Sequence, residues 1–257
     1  MPAPLARPAR NPPNPPIPDR RQNDPLGVVV ASIAMDTELP GNEPPTLSAP
    51  PASLTGVGEI DSACIRLFAL VGEALSGATH SLLAGDRDAA RAVAERDDQV
   101  DALYREVEDL AFAELVRRGS DIERVKHMVV ILRLLPEVER SGDLAASIAR
   151  RAIRGLGVEL SHRARGLVER MGEVAISMWG AATEAFAYRS PTGGEELETL
   201  DDEMDELHVT LTAEIASGSM SLPVAIEAAL VARFYERFGD HAVNLARRVE
   251  GIAGAAG

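Results

Sequence analysis

The stretch ARFYERFGDHAVNLARRVE, residues 232–250, predicts a helix with a glycine and two acids at its centre. A second stretch, LLPEVERSGDLAASIARRA at 134–152, repeats the arrangement. When the two are aligned on Glu139 and Glu236, they share an ERxGD core, two alanines and a closing pair of arginines. A repeated helix with a repeated acidic pair indicates an internal duplication.

The duplication includes a second acidic segment. DDQVDAL at 97–103 matches DDEMDEL at 201–207, so both copies contain Asp-Asp-x-x-Asp-x-Leu. Asp97 precedes Glu139 by 42 residues and Asp201 precedes Glu236 by 35. The difference of seven residues is about two helical turns, as expected if one helical hairpin were shortened by whole turns. The sequence therefore predicts two copies of a three-helix unit.

From Glu59 onward the spacing of apolar residues predicts helix throughout, interrupted by short loops. Short loops make consecutive helices antiparallel neighbours. We therefore expect an all-α fold of two tandem three-helix bundles, residues 56–157 and 158–257. The six expected helices cover approximately 59–83, 86–118, 121–154, 159–189, 195–216 and 221–250.

Residues 1–55 differ from the rest of the chain in composition. They hold 14 of the 17 prolines, and this predicts a disordered Pro-rich tail. Their one apolar run, LGVVVASIAM at 26–35, has about half the length of a membrane span. Arg20 and Arg21 ahead of this run would suit an export signal, but the segment has no good small-x-small cleavage site, and a start at Met35 would explain the tail equally well. Cys64 is the only cysteine, which excludes an internal disulfide and fits the cytoplasm.

The net charge of the chain is −14, with 40 acidic residues. An acidic surface repels the phosphate backbone, so the composition argues against a nucleic-acid partner. The same charge is compatible with ordinary solubility.

Acids spaced four residues apart define two candidate cation sites. Carboxylates at this spacing lie on one helix face about one turn apart and can share a hard cation. Arginines such as Arg140 and Arg237 would neutralise the acids equally well without a metal. The apolar stripes of the fifth and sixth helices lie on the side away from the acids, which predicts surface sites. The candidate ligands are Asp97, Asp101, Glu139 and Asp143 in the first unit, and Asp201, Asp205, Glu236 and Asp240 in the second.

A carboxylate-bridged, metal-dependent helical-bundle enzyme is one alternative function, and a metal-free helical adaptor is another. The enzyme class needs interior acids and two Glu-x-x-His pairs on facing helices. This chain has one such pair, Glu159 with His162, and a weaker pair, Asp205 with His208. The scarcity of pairs and the outward-facing acids argue against an enzyme.

The two ERxGD helices, the paired Asp-Asp-x-x-Asp segments and the doubled three-helix layout resemble the PhoU family of phosphate-signalling proteins. The resemblance covers about residues 59–250, and RFYERFGDHAVNLARRV is similar to the high-GC Gram-positive branch. It implies that the eight candidate acids hold a multinuclear metal site of iron, manganese or magnesium, or of zinc if His241 or His208 turns in. The copies differ where Leu144 and Ser147 replace the counterparts of His241 and Asn244.

The resemblance also implies a function. We expect a non-enzymatic regulator of phosphate uptake and phosphate-starvation signalling that keeps the phosphate regulon repressed when phosphate is plentiful. Its partners would be the ATPase of the phosphate ABC transporter and a sensor histidine kinase. The protein would be a cytoplasmic homodimer that reaches the inner face of the membrane through those partners.

Overall fold

A computed structural model describes residues 52–117, 119, 121–190 and 192–253. Within these ranges the chain forms helices and loops and no strand, so the predicted all-α class is confirmed. The part of the predicted tail before residue 52 lies outside the described residues. The helices are α1 (Ala52–Ala84), α2 (Arg87–Glu95), α3 (Asp97–Val116), α4 (Ile122–Ile153), α5 (Leu156–Glu159), α6 (His162–Tyr188), α7 (Gly193–Ala216) and α8 (Leu222–Ala253).

Two of the predicted helices have different boundaries in the structure. The helix expected over 86–118 is divided at Arg96 into α2 and α3, which places Asp97 and Asp98 in a first turn, where acids are favoured by the helix dipole. The helix expected from 159 begins at His162, because the Ser161 side chain caps it by accepting the backbone N–H of Ala164 at 3.1 Å.

Two expected boundaries between segments also fall inside helices. α1 begins at Ala52, within the segment predicted to be tail. The short helix α5, which the sequence did not predict, spans the expected boundary between the units at 157 and 158. The connection between the repeats is therefore structured rather than a plain loop.

The helices form the two expected three-helix units. The first contains α1, the α2–α3 pair and α4, and the second contains α6, α7 and α8. The units pack against each other through α4 with α8 and α1 with α6, so they share one hydrophobic core. Trp179 shows the continuity of that core: its Nε1–H donates to the carbonyl oxygen of Phe68 at 2.8 Å, and its ring centroid lies 5.0 Å from that of Phe238.

The central helix α1 contains Gly58–Ala84, the one stretch of the described chain with the length and hydropathy of a membrane span. It packs against α4 and α6, and Leu67, Val71 and Leu75 are buried there. Its apolar character therefore has an explanation as a core helix of the bundle.

The glycine at the centre of each motif helix allows close helix packing. A Cβ atom at Gly239 would lie 3.1 Å from Sδ of Met178, and one at Gly142 would lie 3.2 Å from Cγ1 of Val100. Glycine within a helix is destabilising by roughly 0.5–1 kcal/mol relative to alanine. The repeated glycines are thus explained by the approach of a neighbouring helix.

Candidate functional site

The first acidic cluster consists of Asp97, Asp101, Glu139 and Asp143. Asp97 and Asp101 lie one turn apart on α3, and Glu139 and Asp143 lie one turn apart on the neighbouring α4. Burial, followed by the Asp143 carboxylate, raises the pKa of Asp97 above its ordinary value. The same two causes, in the same order, raise the pKa of Glu139, with smaller effects from Asp101 and Asp97. The fold therefore brings the four predicted acids into electrostatic contact.

The second acidic cluster consists of Asp201, Asp205, Glu236 and Asp240, on α7 and α8. Burial, then Asp205 and then Asp240, raise the pKa of Asp201. Burial and then Asp240 raise the pKa of Glu236. The second unit thus repeats the arrangement of the first.

Arginines neutralise the clusters in part. The positive charge of Arg150 acts on Asp97, and that of its repeat counterpart Arg247 acts on Asp201. Arg105 lies 3.3 Å from Asp101, and Arg233 is ion-paired with Glu236. These are not the arginines that the sequence suggested.

Arg140, which the sequence suggested as a neutralising group, lowers the pKa of Glu139, although burial and Asp143 outweigh it. Its guanidinium lies 3.9 Å from Glu137, outside the cluster. Like-charge repulsion therefore persists in the first cluster.

The clusters have the chemistry of a hard-cation site. Asp143, Asp205 and Asp240 are exposed, and the remaining five acids are half-buried, so both clusters open to solvent. Oε2 of Glu236 is buried and accepts no hydrogen bond from the described residues. Oxygen-only donors suit magnesium, manganese or iron(III).

The side chains are not arranged as a finished coordination shell. Across the described residues, no three His, Cys, Asp or Glu side chains are placed to hold a metal ion. Binding a cation would therefore require carboxylates on neighbouring helices to turn toward each other. The donor types fit a metal, and the unpaired Glu236 oxygen is the atom that such a metal would satisfy.

The histidines do not complete either cluster as a ligand set. His241, expected to turn toward a zinc ion, is buried, and its Nδ1 lies 2.6 Å from Oε2 of Glu137. His208 does lie beside the second cluster, as its effect on Glu236 shows. The charge of His208 lowers the pKa of Glu236, although the rise caused by burial and Asp240 is larger. Glu159 ends α5 and His162 begins α6, so this pair does not occupy one helix face as a di-iron site requires.

An ion cluster that joins the two units consists of Glu137 and His241, which are buried, and Arg248, which is partly exposed; we call it the buried ion cluster. Besides its contact with His241, Glu137 accepts a hydrogen bond from Arg248 at 2.9 Å. Glu137 and His241 are each 7% exposed, and Nε2 of His241 has no hydrogen-bond partner among the described residues. A charged carboxylate this deeply buried requires such partners.

Sequence reasoning missed Glu137, because it precedes the ERxGD motif and has no acidic counterpart. Its counterpart in the second copy is Phe234, 97 residues later, the same separation as between Glu139 and Glu236. Glu137 could have been identified by this difference, because the other copy has an aromatic residue packed against the core at the same position.

The contact between α4 and α8 is reciprocal. Arg248 of α8 reaches Glu137 of α4, and Arg151 of α4 lies 4.6 Å from the ring centroid of Phe234 on α8. Arg151 and Arg248 are repeat counterparts, as are Glu137 and Phe234. The same contact therefore occurs twice about a local two-fold axis, once as an ion pair and once as a cation–π interaction.

Comparison with known proteins agrees with this architecture. The family profile described as PhoU domain matches residues 64–152 and 168–249, one segment in each unit. The phosphate-specific transport system accessory protein PhoU homolog 1 of Mycobacterium tuberculosis is 32% identical over 187 residues, covering 72% of this chain and 85% of that protein. A homolog of the same name from Thermotoga maritima is 29% identical over 188 residues, covering 72% and 81%.

A solved structure shows the same fold. The crystal structure of PhoU from Pseudomonas aeruginosa matches with a TM-score of 0.73 at 25% identity, covering 78% of this chain and 98% of that one. The family profile accounts for most of the chain, and its two segments coincide with the two structural repeats. The protein therefore belongs to the PhoU domain family.

Proposed function

We propose that this protein is a non-enzymatic regulator of phosphate uptake. The observation that carries the proposal is the pair of ERxGD helices in a PhoU fold, together with relatives named as accessory proteins of the phosphate-specific transport system. The described residues contain no pair of Glu-x-x-His motifs on facing helices, which a di-iron enzyme of this architecture requires.

More specifically, we propose that the protein couples the ATPase of the phosphate ABC transporter to a sensor histidine kinase. It keeps the phosphate regulon repressed while phosphate is plentiful. It acts in the cytoplasm as a homodimer and reaches the inner face of the membrane through these partners. The fold supports this role, because a rigid two-unit bundle presents several faces to different proteins.

Gene deletion tests the regulatory role. A strain that lacks this gene and any paralogue should express phosphate-starvation genes in phosphate-rich medium, and a wild-type copy should restore repression. Normal repression in the deletion strain would contradict the proposal. Affinity capture from cells grown in high and low phosphate tests the coupling, and the ATPase and the kinase are the proteins expected to be captured.

We further propose that the acidic clusters bind a hard cation, which would relieve the repulsion between their carboxylates. Glu236→Ala combined with Asp240→Ala should lose the part of the thermal stabilisation by Mn²⁺, Fe³⁺ or Mg²⁺ that the second cluster provides, while keeping a helical spectrum. A ligand that binds only the folded state raises its stability by mass action, so melting with and without metal reports binding. Glu195→Ala with Glu198→Ala removes the same charge from exposed acids outside the cluster and should retain the response.

A metal-free adaptor is the second candidate function. It is favoured by the absence of a preformed ligand set among the described residues and by the arginines beside both clusters. If the wild type and both double variants gain equally from every metal, the clusters are solvated surface and the adaptor is correct.

A further inference from the structure

An apolar ridge lies on the solvent face of α8. Its members, Leu222, Ile226 and Leu230, are 74%, 54% and 38% exposed. Residues four apart lie about one helical turn from each other, so the three side chains form a row about 12 Å long. On the neighbouring helix α7, Val209 is also exposed.

The common fold does not require this ridge. The repeat counterparts on α4, 97 residues earlier, are Val125, Val129 and Arg133. The two valines are half-buried and the third position is an exposed arginine, so α4 has no such row. The first unit has its exposed apolar residues elsewhere, at Phe112, Val116 and Ile122. Isolated apolar residues are normal on a protein surface, whereas a contiguous row that the repeated fold does not require at these positions indicates a binding surface.

The surface further along the same hairpin, away from its turn, is acidic. Helix α7 contains nine Asp and Glu residues and no Lys or Arg. Two of them are held by arginines of α6, since Arg170 pairs with Glu203 and Arg163 pairs with Glu214.

Other acids face solvent next to this surface. Asp202, Asp205 and Glu206 of α7 are exposed, and Glu236 follows Leu230 by six residues, about 9 Å along α8. Two arginines, Arg233 and Arg237, lie on the ridge face of α8, and Arg233 is ion-paired with Glu236. The outer face of the α7–α8 hairpin is therefore apolar toward the hairpin turn and mainly acidic beyond it.

We propose that the apolar ridge docks a basic amphipathic helix of another protein. Apolar residues at helical spacing on that helix would cover Leu222, Ile226 and Leu230. Its Lys and Arg side chains, two to four turns further along, would lie against the acids of α7. This inference does not depend on the phosphate role or on metal binding. A cation bound at the second cluster would neutralise Asp205 and Glu236, so chelation excludes it from the test.

The charge of the surface favours a basic helix over a second copy of this chain, a lipid surface or a nucleic acid. A two-fold contact that set α7 against α7 of a second copy would bring nine acids against nine. Anionic lipid and nucleic acid are repelled for the same reason. A cationic helix gains both from covering the apolar row and from the acidic surface, which also accelerates its association.

A peptide titration on the full-length protein tests the proposal. The probes are fluorescein-labelled 18-residue helical peptides with leucines at i, i+3, i+4 and i+7 in one half and lysines in the other, made in both orders. Fluorescence polarisation in EDTA should show saturable binding of one order. Ile226→Ser combined with Leu222→Ser should weaken it at least tenfold, with an unchanged helical spectrum and melting temperature, because both side chains are exposed.

Matched controls separate the contributions. Val158→Ser, which alters an equally exposed apolar residue on α5, should leave the affinity unchanged. Asp202→Asn with Glu206→Gln, both exposed and outside the cluster, should weaken binding severalfold and reduce its salt dependence.

Three outcomes would overturn the proposal. These are the absence of saturable binding for both peptide orders, equal binding of a sequence-scrambled peptide, and equal affinity of the ridge variant. If the ridge variant instead dissociates a dimer in analytical ultracentrifugation, the occupant is a second copy and the proposal is wrong. The gene-deletion phenotype is a separate readout, so failure here leaves the regulatory role standing.

Discussion

At the scale of single residues, Glu137 is a position where the two copies differ in chemistry, because its repeat counterpart is the aromatic Phe234. The Glu137 carboxylate contacts His241 and Arg248 of the other unit, while the ring of its counterpart Phe234 lies against the Arg151 guanidinium. The duplicated contact is thus maintained by two different interactions: an ion pair in one copy and a cation against an aromatic ring in the other.

Glu137→Ala should lower the free energy of unfolding by about 3 kcal/mol, the low end of the range for breaking a buried ion pair, because Arg248 is partly exposed and can be rehydrated. Urea denaturation measures the change. Glu139→Ala, two residues away in the first acidic cluster, is the control and should be neutral or stabilising, because it relieves repulsion from Asp143. Equal destabilisation by the two substitutions would contradict the assigned role of Glu137.

The acidic clusters predict a pH dependence of the opposite sign to that of ordinary salt-bridged acids. The pKa values of Asp97, Glu139, Asp201 and Glu236 are raised in the folded protein, so the native state binds protons more tightly than the unfolded chain. The destabilisation by these groups is complete above the raised pKa values and is relieved as the pH falls toward the ordinary carboxyl range.

In metal-free buffer the contribution of the clusters should therefore favour the folded state as the pH is lowered from 7 toward the ordinary carboxyl range. Glu139→Gln combined with Glu236→Gln should be more stable than the wild type at pH 7, and the difference should shrink as the pH falls. Thermal melts of both proteins from pH 7 downward measure it. A difference that stays constant with pH would show that the folded state does not raise the pKa values of these two carboxyl groups.

At the scale of elements, the short helix α5 fixes the connection between the units. Gly157 packs so closely on α1 that a Cβ atom there would overlap the carbonyl oxygen of Leu82. Arg165 of α6 donates to the carbonyl oxygen of Gly157 at 3.0 Å and to that of Leu83. The contact involves backbone atoms, which cannot move as a flexible side chain can.

Gly157→Ala should therefore destabilise the protein by about 3 kcal/mol, the upper end of the range for overpacking. Gly166→Ala is the matched control, because a Cβ atom there meets open space on the exposed side of α6. Alanine is the better helix former by roughly 1 kcal/mol, so this change should stabilise the protein slightly. Denaturation midpoints of the two variants test the pair, and a neutral Gly157→Ala would contradict the close packing.

The same elements show what sequence could and could not predict. Apolar spacing predicted six of the helices, because each buries one continuous face. The four-residue helix α5 and the division at Arg96 were not predicted, because a feature of about one turn is too short to show a helical period of apolar residues. The eight acids of the two clusters could be picked out because they are close in sequence and repeated, while their role as metal ligands stays a prediction. The buried ion cluster was missed because Glu137 and His241 meet only when α4 packs on α8.

At the scale of the whole molecule, the two repeats are not independent domains. Trp179 of the second unit bonds to the backbone of the first, and the hydroxyl oxygens of Thr79 and Tyr235 lie 2.8 Å apart across the same interface. Separating the units would expose these side chains and leave the buried ion cluster without its partners.

Fragments 52–160 and 161–253 should therefore each fail to fold as a cooperative monomer, while an equimolar mixture should recover helical signal and a cooperative melt. Circular dichroism and dye binding to exposed apolar surface measure both states. If either fragment alone melts cooperatively near the temperature of the intact chain, the shared core is not needed for its stability.

The reciprocal α4–α8 contact also means that the first and second halves of the chain cannot replace each other in this interface. Two first halves from different chains, paired in the same way, would set Glu137 against Leu144, the counterpart of His241. Two second halves would set His241 against Phe234, with no carboxylate in reach. Only an unlike pair supplies the histidine with its acid, because a buried polar group without a partner is disfavoured. Chains made side by side on one messenger are thereby discouraged from pairing like halves with each other.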